Sequence, residues 1–164
     1  MKRLKRLETL ELSAGALRLL SSARIAHLAT ASKNGTPHVI PICFAFDGKT
    51  FYSSIDEKPK RSLPSKLKRL RNIEENPQVS LVIDRYNEDW SKLAYVLVFG
   101  RARILRSGKT HRQAVRLLRK KYFQYRTMAL DNLPVIVIRP DRFVQWGDLG
   151  IDNAASKISE ASTM

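Results

Sequence analysis

Two short turn signals constrain the fold of this chain more than any other feature of its sequence. Asn34-Gly35 and Asp47-Gly48 each separate two apolar segments. Such dipeptides favour tight turns between antiparallel neighbours, and Asn34-Gly35 suits a turn with positive φ at both central residues. We therefore predict an antiparallel meander of three strands, at residues 25–31, 38–46 and 50–55.

Helical spacing of apolar residues predicts three helices. Ser13 stands before an apolar stripe and suits an N-cap, so the first helix covers residues 14–22. Apolar residues at spacings of four and three predict a second helix that ends near Asn76-Pro77. A third, amphipathic helix covers residues 109–122.

Further strands complete a β-rich α+β protein. They are predicted at residues 79–83, 92–105, 134–138 and 142–146. Gly100 should mark a bulge or bend in the longest of them. Six to seven mostly antiparallel strands that begin with hairpins favour a small barrel with flanking helices over a sandwich.

Length and composition indicate one domain. With 164 residues, 43% of them apolar, the chain can bury a single core. We expect the domain at residues 13–147, a basic N-terminal extension at 1–12 and a flexible tail at 148–164. No apolar stretch approaches the roughly 20 residues that cross a bilayer. Without a secretory signal, and with Cys43 as its single cysteine, the chain is expected in the cytoplasm.

The charge balance is the main compositional anomaly. A net charge of +15 predicts attraction to nucleic acid, an acidic membrane surface or a polyanionic cofactor, although solubility alone is the other interpretation. The three histidines and one cysteine have no ligand-like spacing, so we predict no metal site.

Several motifs carry a resemblance to a known family. Residues 24–30 end in Leu-Ala-Thr, and residues 35–41 read Gly-Thr-Pro-His-Val-Ile-Pro. This succession resembles the opening hairpin of the pyridoxamine 5'-phosphate oxidase-like, FMN-binding split-barrel superfamily, and residues 76–81 resemble its N-P-x-V-S-L signature. The resemblance covers residues 13–146. Residues 84–90 taken with 135–146 look most similar to the deazaflavin (coenzyme F-420)-dependent oxidoreductases.

The resemblance implies a fold, an activity and a partner. The fold would be a split β-barrel, and two chains would form a homodimer with the cofactor at the subunit interface. The activity would be hydride transfer between a deazaflavin of the coenzyme F-420 type and a small conjugated organic substrate. An FMN-binding oxidase or reductase of the same superfamily is the alternative. Because the cofactor carries the hydride, no catalytic side chain is required.

A cluster of basic residues is the candidate phosphate clamp. Lys58, Lys60 and Arg61 lie between a predicted strand and a predicted helix, where a phosphate would also meet free N–H groups of the first turn. Cations at a helix N-terminus oppose its dipole, and a bound anion would resolve that conflict. The other interpretation is a solvated helix end. Ser53 and Ser54 could add hydroxyl donors.

The family comparison also implies contacts with the cofactor ring. A Trp at position 90 would wall the ring or pack in the dimer interface, two roles that the sequence leaves open. The implied contact residues are Thr30, His38, Val39, Ile40, Pro41 and Trp90.

The amount of positive charge bears on which cofactor binds. Seven basic residues fall between Lys58 and Arg71, more than the single phosphate of FMN requires, so they favour the longer anionic tail of a deazaflavin. A non-enzymatic protein that stores a cofactor, or binds nucleic acid through the basic residues 109–121, is a second class of hypothesis. No recognised nucleic-acid fold accompanies that basic helix, so we expect a small-molecule substrate and no nucleic-acid or membrane partner.

Overall fold

The computed structural model describes residues 6–56 and 67–150, which form eight strands and three helices. The strands are β1 (Arg6–Thr9), β2 (Ala26–Ala31), β3 (Pro37–Ile42), β4 (Ala45–Phe46), β5 (Phe51–Ser54), β6 (Gln78–Arg85), β7 (Ala94–Leu105) and β8 (Val135–Gly147). The helices are α1 (Ala14–Ser22), α2 (Lys68–Glu75) and α3 (Lys109–Lys121), with short 3₁₀ helices at Trp90–Lys92, Phe123–Arg126 and Leu130–Asn132.

The connection between β3 and β4 forces the sheet to curl. Seven strands run in the order β3-β2-β6-β7-β8-β5-β4, so β3 and β4 lie at opposite edges, roughly 29 Å apart if the sheet were flat. Only Cys43 and Phe44 separate these two strands, and three Cα steps span at most about 10 Å. The sheet therefore closes into a barrel. Among the strand pairs that the structure describes, β3 and β4 are not joined, which leaves a seam.

The predicted fold class is confirmed, but the predicted meander is wrong in its second strand. The expected strand at 38–46 is divided into β3 and β4, because the chain crosses the seam at Cys43-Phe44. As a result, β5 pairs with β4 and β8 and not with β3. A turn dipeptide specifies only the two strands beside it, and Asp47-Gly48 does join β4 to β5.

The first hairpin turn also differs from its predicted geometry. Gly35 has a φ of 85°, but no non-glycine residue in the described ranges has positive φ, so Asn34 does not. The Gly35 N–H donates to Ser32 O at 2.9 Å, and the Ser32 N–H donates to Thr36 O at 3.1 Å. The loop is thus a turn followed by one left-handed glycine, a common three-residue hairpin connection.

The two longest strands form the spine of the barrel. β7 and β8 pair along their full lengths, with a register shift at Phe99/Gly100 that confirms the irregularity predicted at Gly100. A Cβ at Gly100 would lie 2.4 Å from Arg139 O, so no larger residue fits this approach. The two predicted final strands are one continuous strand, which pairs with β5 in its first half and with β1 in its second.

Side chains pack on both sides of this sheet. The interior holds the main core, including Leu28, Leu81 and Val98, and it receives apolar residues of α1 and α2. Outside, α3 covers β4, β5 and the start of β8 through a second cluster that contains Tyr52 and Leu118. The Ser13 hydroxyl caps α1 as predicted, accepting from Ala16 N at 3.1 Å.

Both ends of the described chain join this packing. Within the predicted N-terminal extension, β1 pairs with β8. At the start of the predicted tail, Asp148 N donates to Leu93 O at 2.8 Å and Leu149 is buried in the main core. The rest of that predicted tail, residues 151–164, lies outside the described residues.

One tyrosine holds the crossing between β3 and β4. The Tyr122 hydroxyl accepts from Phe44 N at 2.9 Å and lies within hydrogen-bond distance of two carbonyl acceptors, Arg24 O at 2.9 Å and Phe44 O at 3.0 Å. The neighbouring Lys121 ammonium lies 3.7 Å from the centre of the Phe44 ring and donates to Leu20 O. Burial, together with Arg24, lowers the pKa of Lys121 to about 8. The C-terminal end of α3 therefore anchors the link that closes the barrel.

We expect Tyr122→Phe to destabilise the protein by about 1–3 kcal/mol, because it leaves the buried Phe44 N–H without an acceptor. Urea unfolding measures the loss. The matched control is Tyr95→Phe, since the Tyr95 ring stacks on Trp146 and its hydroxyl makes no hydrogen bond within residues 6–56 and 67–150. Equal losses in the two variants would contradict the anchoring role.

Candidate functional site

The helix α2 packs against β2, the neighbour of the edge strand β3, and against β7, and its start is unusually basic. The helix begins at Lys68 after the N-cap residue Leu67, which makes no side-chain capping hydrogen bond, and the first turn has no acidic residue. Leu70 and Ile73 are buried in the main core. The first-turn N–H groups and the cations beside them together favour an anion at this end of the helix.

Three buried polar atoms near this helix have no hydrogen-bond partner within the described part of the chain. They are His38 Nδ1, Arg69 Nε and Asn72 Oδ1. Roughly nine in ten buried polar groups in proteins are hydrogen-bonded, so a group of three without partners requires an explanation. A bound ligand would supply it.

Strand register and one hydrogen bond bring these residues together. Thr30 of β2 lies directly opposite His38 of β3. The Asn72 amide donates to Thr30 Oγ1 at 3.0 Å, which fixes the amide and leaves its oxygen as the free acceptor. Arg69 precedes Asn72 by one helical turn, so the two side chains lie on neighbouring parts of one face.

Arg69 also lies within electrostatic range of Asp56 and Tyr125. Asp56 follows β5, and its carboxylate accepts from the Tyr125 hydroxyl at 2.9 Å. Burial lowers the pKa of Arg69, while the nearby Asp56 and Tyr125 oppose that effect by favouring the cation. Burial also raises the pKa of Tyr125 far above its usual range, so the phenol stays protonated as a donor. Arg69 is thus coupled electrostatically to His38 on β3 and to Asp56 just after β5.

The surroundings of His38 favour its neutral imidazole. Burial lowers its pKa below the ordinary value of 6.5, and the positive charges of Arg69 and Lys68 lower it further. A neutral ring has one donor and one acceptor nitrogen, so Nδ1 can take either role toward a ligand. The site therefore offers one fixed donor, one fixed acceptor and one adaptable group.

The predicted contact residues are divided between this site and other surfaces. Thr30 and His38 belong to the site, and Ile40 has the same strand parity as His38. Val39 and Pro41 lie on the opposite, exposed face of β3. Since neighbouring residues of a strand point to opposite faces, Val39 and Pro41 do not share the surface of His38.

The predicted hydroxyl donors also separate. Ser53 and Ser54 are both buried in β5, but they point to opposite sides of the sheet. The Ser54 hydroxyl donates to Ile55 O at 2.8 Å. Trp90 lies in the 3₁₀ helix between β6 and β7 with 63% of its surface exposed, and the predicted clamp of Lys58, Lys60 and Arg61 lies outside the described residues.

Sequence reasoning missed four members of the site. Arg69 was counted only within the basic run, and Asn72, Asp56 and Tyr125 were given no role in cofactor binding. One partial signal was available, because Asn72 directly precedes the core residue Ile73, at the border of the apolar face of α2, and a buried amide requires a partner. The pairing of Asp56 with Tyr125 spans 69 positions and left no sequence signal.

The described residues also bear on metal binding, membrane crossing and the role of a buried histidine. Within residues 6–56 and 67–150, no cluster of three or more histidine, cysteine, aspartate or glutamate side chains could hold a metal ion. Across the same residues, no helix combines the length and apolar composition needed to cross a bilayer. His111 is buried, and its Nε2 lies 2.8 Å from Leu133 O.

Arg69→Gln is expected to raise the pKa of His38 toward its ordinary value, because it removes a nearby positive charge that favours the neutral ring. The pKa is measured by following the histidine ring signals by NMR as the pH changes. Arg71→Gln, on the exposed side of the same helix, is the control and should leave the His38 titration unchanged. An unchanged titration in Arg69→Gln would show that the two side chains do not interact.

The chain is similar to a known protein family over most of its length. The family model for pyridoxamine 5'-phosphate oxidase matches residues 13–147. The search of curated proteins found no match.

Several solved structures share the fold. The heme storage protein HutZ from Vibrio cholerae is 17% identical, with 84% of this chain and 98% of that chain covered and a TM-score of 0.64. An FAD-binding protein from Mesorhizobium loti is 22% identical, with coverages of 88% and 98% and a TM-score of 0.62. An F-420 reductase is 24% identical, with coverages of 80% and 98% and a TM-score of 0.57. With the family model matching most of its length, this chain belongs to the pyridoxamine 5'-phosphate oxidase family of flavin-binding split barrels.

Proposed function

We propose that this chain is an oxidoreductase that transfers a hydride between a deazaflavin of the coenzyme F-420 type and a small conjugated organic substrate. The observation that carries the proposal is the group of unpartnered atoms on His38, Arg69 and Asn72 at the seam of a flavin-binding fold. The cofactor would bind there, with its anionic part toward the start of α2.

The free groups of the site match the chemistry of such a cofactor. Flavin and deazaflavin rings carry a ring N–H between two carbonyl oxygens, and both cofactors carry phosphate on a side chain. Asn72 Oδ1 requires a donor and can accept from the ring N–H. Arg69 Nε requires an acceptor, which a carbonyl or phosphate oxygen provides. His38 can complete either contact.

The residues of this chain would bind and orient the cofactor. When bound, a deazaflavin supplies the hydride chemistry itself. Lys68 and Arg69 would hold the anionic group, and Asp56, already bonded to Tyr125, favours the charged form of Arg69. The bond from Asn72 to Thr30 prevents the amide from turning, so its oxygen keeps one direction. The apolar side chain of Ile40, partly buried next to the core, would help to exclude water.

The choice of deazaflavin over FMN rests on charge. The basic run from Lys58 to Arg71 exceeds what one phosphate needs, whereas the deazaflavin carries a phosphodiester and several glutamate carboxylates. An F-420 reductase among the structures of the same fold supports this choice. FMN remains the second candidate, because Lys68 and Arg69 alone would suffice for a single phosphate.

An apolar surface on the outside of the barrel leads to a proposed homodimer. The outer face of the sheet is apolar and partly exposed, and residues opposite one another in register continue it across five strands, from β3 through β2, β6 and β7 to β8. This outer face contains Val39, Val82, Leu97, Phe99 and Trp146. Val39 is 60% exposed, and large exposed apolar patches mark contact surfaces. We propose that two chains pack through this face and bring their seams to a shared cofactor groove.

Cofactor binding tests the function. Fluorescence titrations with the oligoglutamyl deazaflavin and with FMN should give saturable binding, tighter for the deazaflavin. Arg69→Met should weaken binding about tenfold or more, the value expected for loss of a hydrogen bond to a charged group. Arg71→Met removes the same charge from the exposed side of α2 and serves as the matched control.

Three outcomes of these titrations bear on the proposal. Tighter binding of FMN would establish the second candidate and refute the deazaflavin assignment. Binding of neither cofactor would refute the oxidoreductase assignment. Binding that Arg69→Met and Arg71→Met weaken equally would show that only general charge is involved.

The proposed dimer is tested with Val39→Glu. The side chain is already exposed, so the charge should leave the monomer folded while it opposes apolar contact between chains, and sedimentation should show a shift from dimer to monomer. Leu17→Glu, at a 43% exposed position on α1, is the control and should remain dimeric. A wild-type monomer would contradict the proposal.

A further inference from the structure

Three arginines converge on the outer face of β7 and β8, beside the register shift. Arg101 lies directly opposite Arg139 in the ladder, and Arg103 follows two residues later on the same face. All three side chains are exposed. Thr30 and His38 of the cofactor site have the opposite orientation, toward the barrel interior and the seam, so this arginine cluster is a separate feature.

The cluster lacks the carboxylate partners that four other arginines in the described part of the chain have. Like charges directly opposite each other in a sheet are destabilising. Within residues 6–56 and 67–150, no carboxylate oxygen lies within 4.0 Å of a guanidinium nitrogen of these three residues. By contrast, carboxylates do pair with Arg85, Arg106, Arg119 and Arg142. Packing gives no reason for the cluster, since none of the three is buried.

The three arginines also border a depression in the surface. Its volume is about 370 Å³, and it is lined by the arginines together with Thr50, Ala102 and Val137. The Asp47 carboxylate near Thr50 already accepts from Lys49 N, Thr50 N and the Tyr52 hydroxyl. The depression therefore combines three cations with the side chain of Thr50. The nearby Asp47 carboxylate is already engaged in hydrogen bonds of its own loop.

We propose that this depression binds the phosphate group of a small molecule carrying at least two negative charges. A guanidinium group donates two parallel hydrogen bonds to phosphate oxygens, and an anion between Arg101 and Arg139 would convert their repulsion into attraction to a shared partner. The cluster occupies one compact depression, which fits a small phosphate compound. A nucleic-acid strand would require cations along an extended track, such as the exposed Lys109, Arg112, Arg116 and Lys120 of α3.

Calorimetric titration of the full chain with pyrophosphate, at fixed ionic strength, tests the proposal. Saturable binding is expected at one site per chain, with Arg139→Gln and Arg101→Gln each weakening it about tenfold or more. Arg112→Gln makes the same charge change on α3 and should leave the affinity unchanged. Deazaflavin binding should be the same in Arg139→Gln as in the wild type, which separates this site from the cofactor site.

A second titration, with a single-stranded oligonucleotide, distinguishes the sources of phosphate. Pyrophosphate binding that depends on Arg139, together with weak oligonucleotide binding, supports the proposal. Oligonucleotide binding that Arg112→Gln and Arg139→Gln weaken equally would overturn it in favour of an extended nucleic-acid surface. Absence of saturable pyrophosphate binding, or equal loss in Arg112→Gln, would also overturn it. Urea unfolding verifies that the variants are folded, and the loss of repulsion should leave Arg139→Gln at least as stable as the wild type.

Discussion

The structure depends on the shortness of the link between its two edge strands. Because only Cys43 and Phe44 connect β3 to β4, the edges of a seven-strand path must meet, and the sheet has no open form that this chain can adopt. Other features follow from this closure. The enclosed face becomes the main core, and the long pair β7 and β8 bends around it with a register shift at Gly100, where only a glycine fits against Arg139.

Closure also explains where the candidate cofactor site lies. A sheet whose edges meet without pairing leaves a gap, and Arg69 at the start of α2 is near enough to interact electrostatically with His38 on β3 and with Asp56 just after β5. The side chains that a cofactor would use therefore come from segments distant in sequence. Three buried polar atoms of these side chains have no hydrogen-bond partner within the described residues. Buried polar groups without partners are expected where a ligand completes the hydrogen bonding.

Much of the fold could be predicted from local signals. The cap at Ser13, the turn at Asp47-Gly48 and the irregularity at Gly100 follow from single residues and their neighbours, and all three are present. The error in the meander arose because a turn signal says nothing about strands further along the chain. The site was harder to predict because its contacts join residues that are far apart in the sequence. The hydrogen bond between Asp56 and Tyr125 depends on tertiary packing. Basic residues near the start of a helix, by contrast, are visible in the sequence itself.

The seam has a mechanical consequence. Within the described residues, consecutive strands in the order from β3 to β4 are joined by backbone hydrogen bonds. The two edge strands β3 and β4 are instead connected through Cys43 and Phe44, and the Tyr122 hydroxyl holds this link at Phe44. The barrel is therefore most compliant in the direction that widens the gap between His38 and Asp56. A ligand that bonds to groups on both sides of this gap would supply a connection that backbone hydrogen bonds do not make there. Ligand binding at the site would then make the whole barrel more rigid.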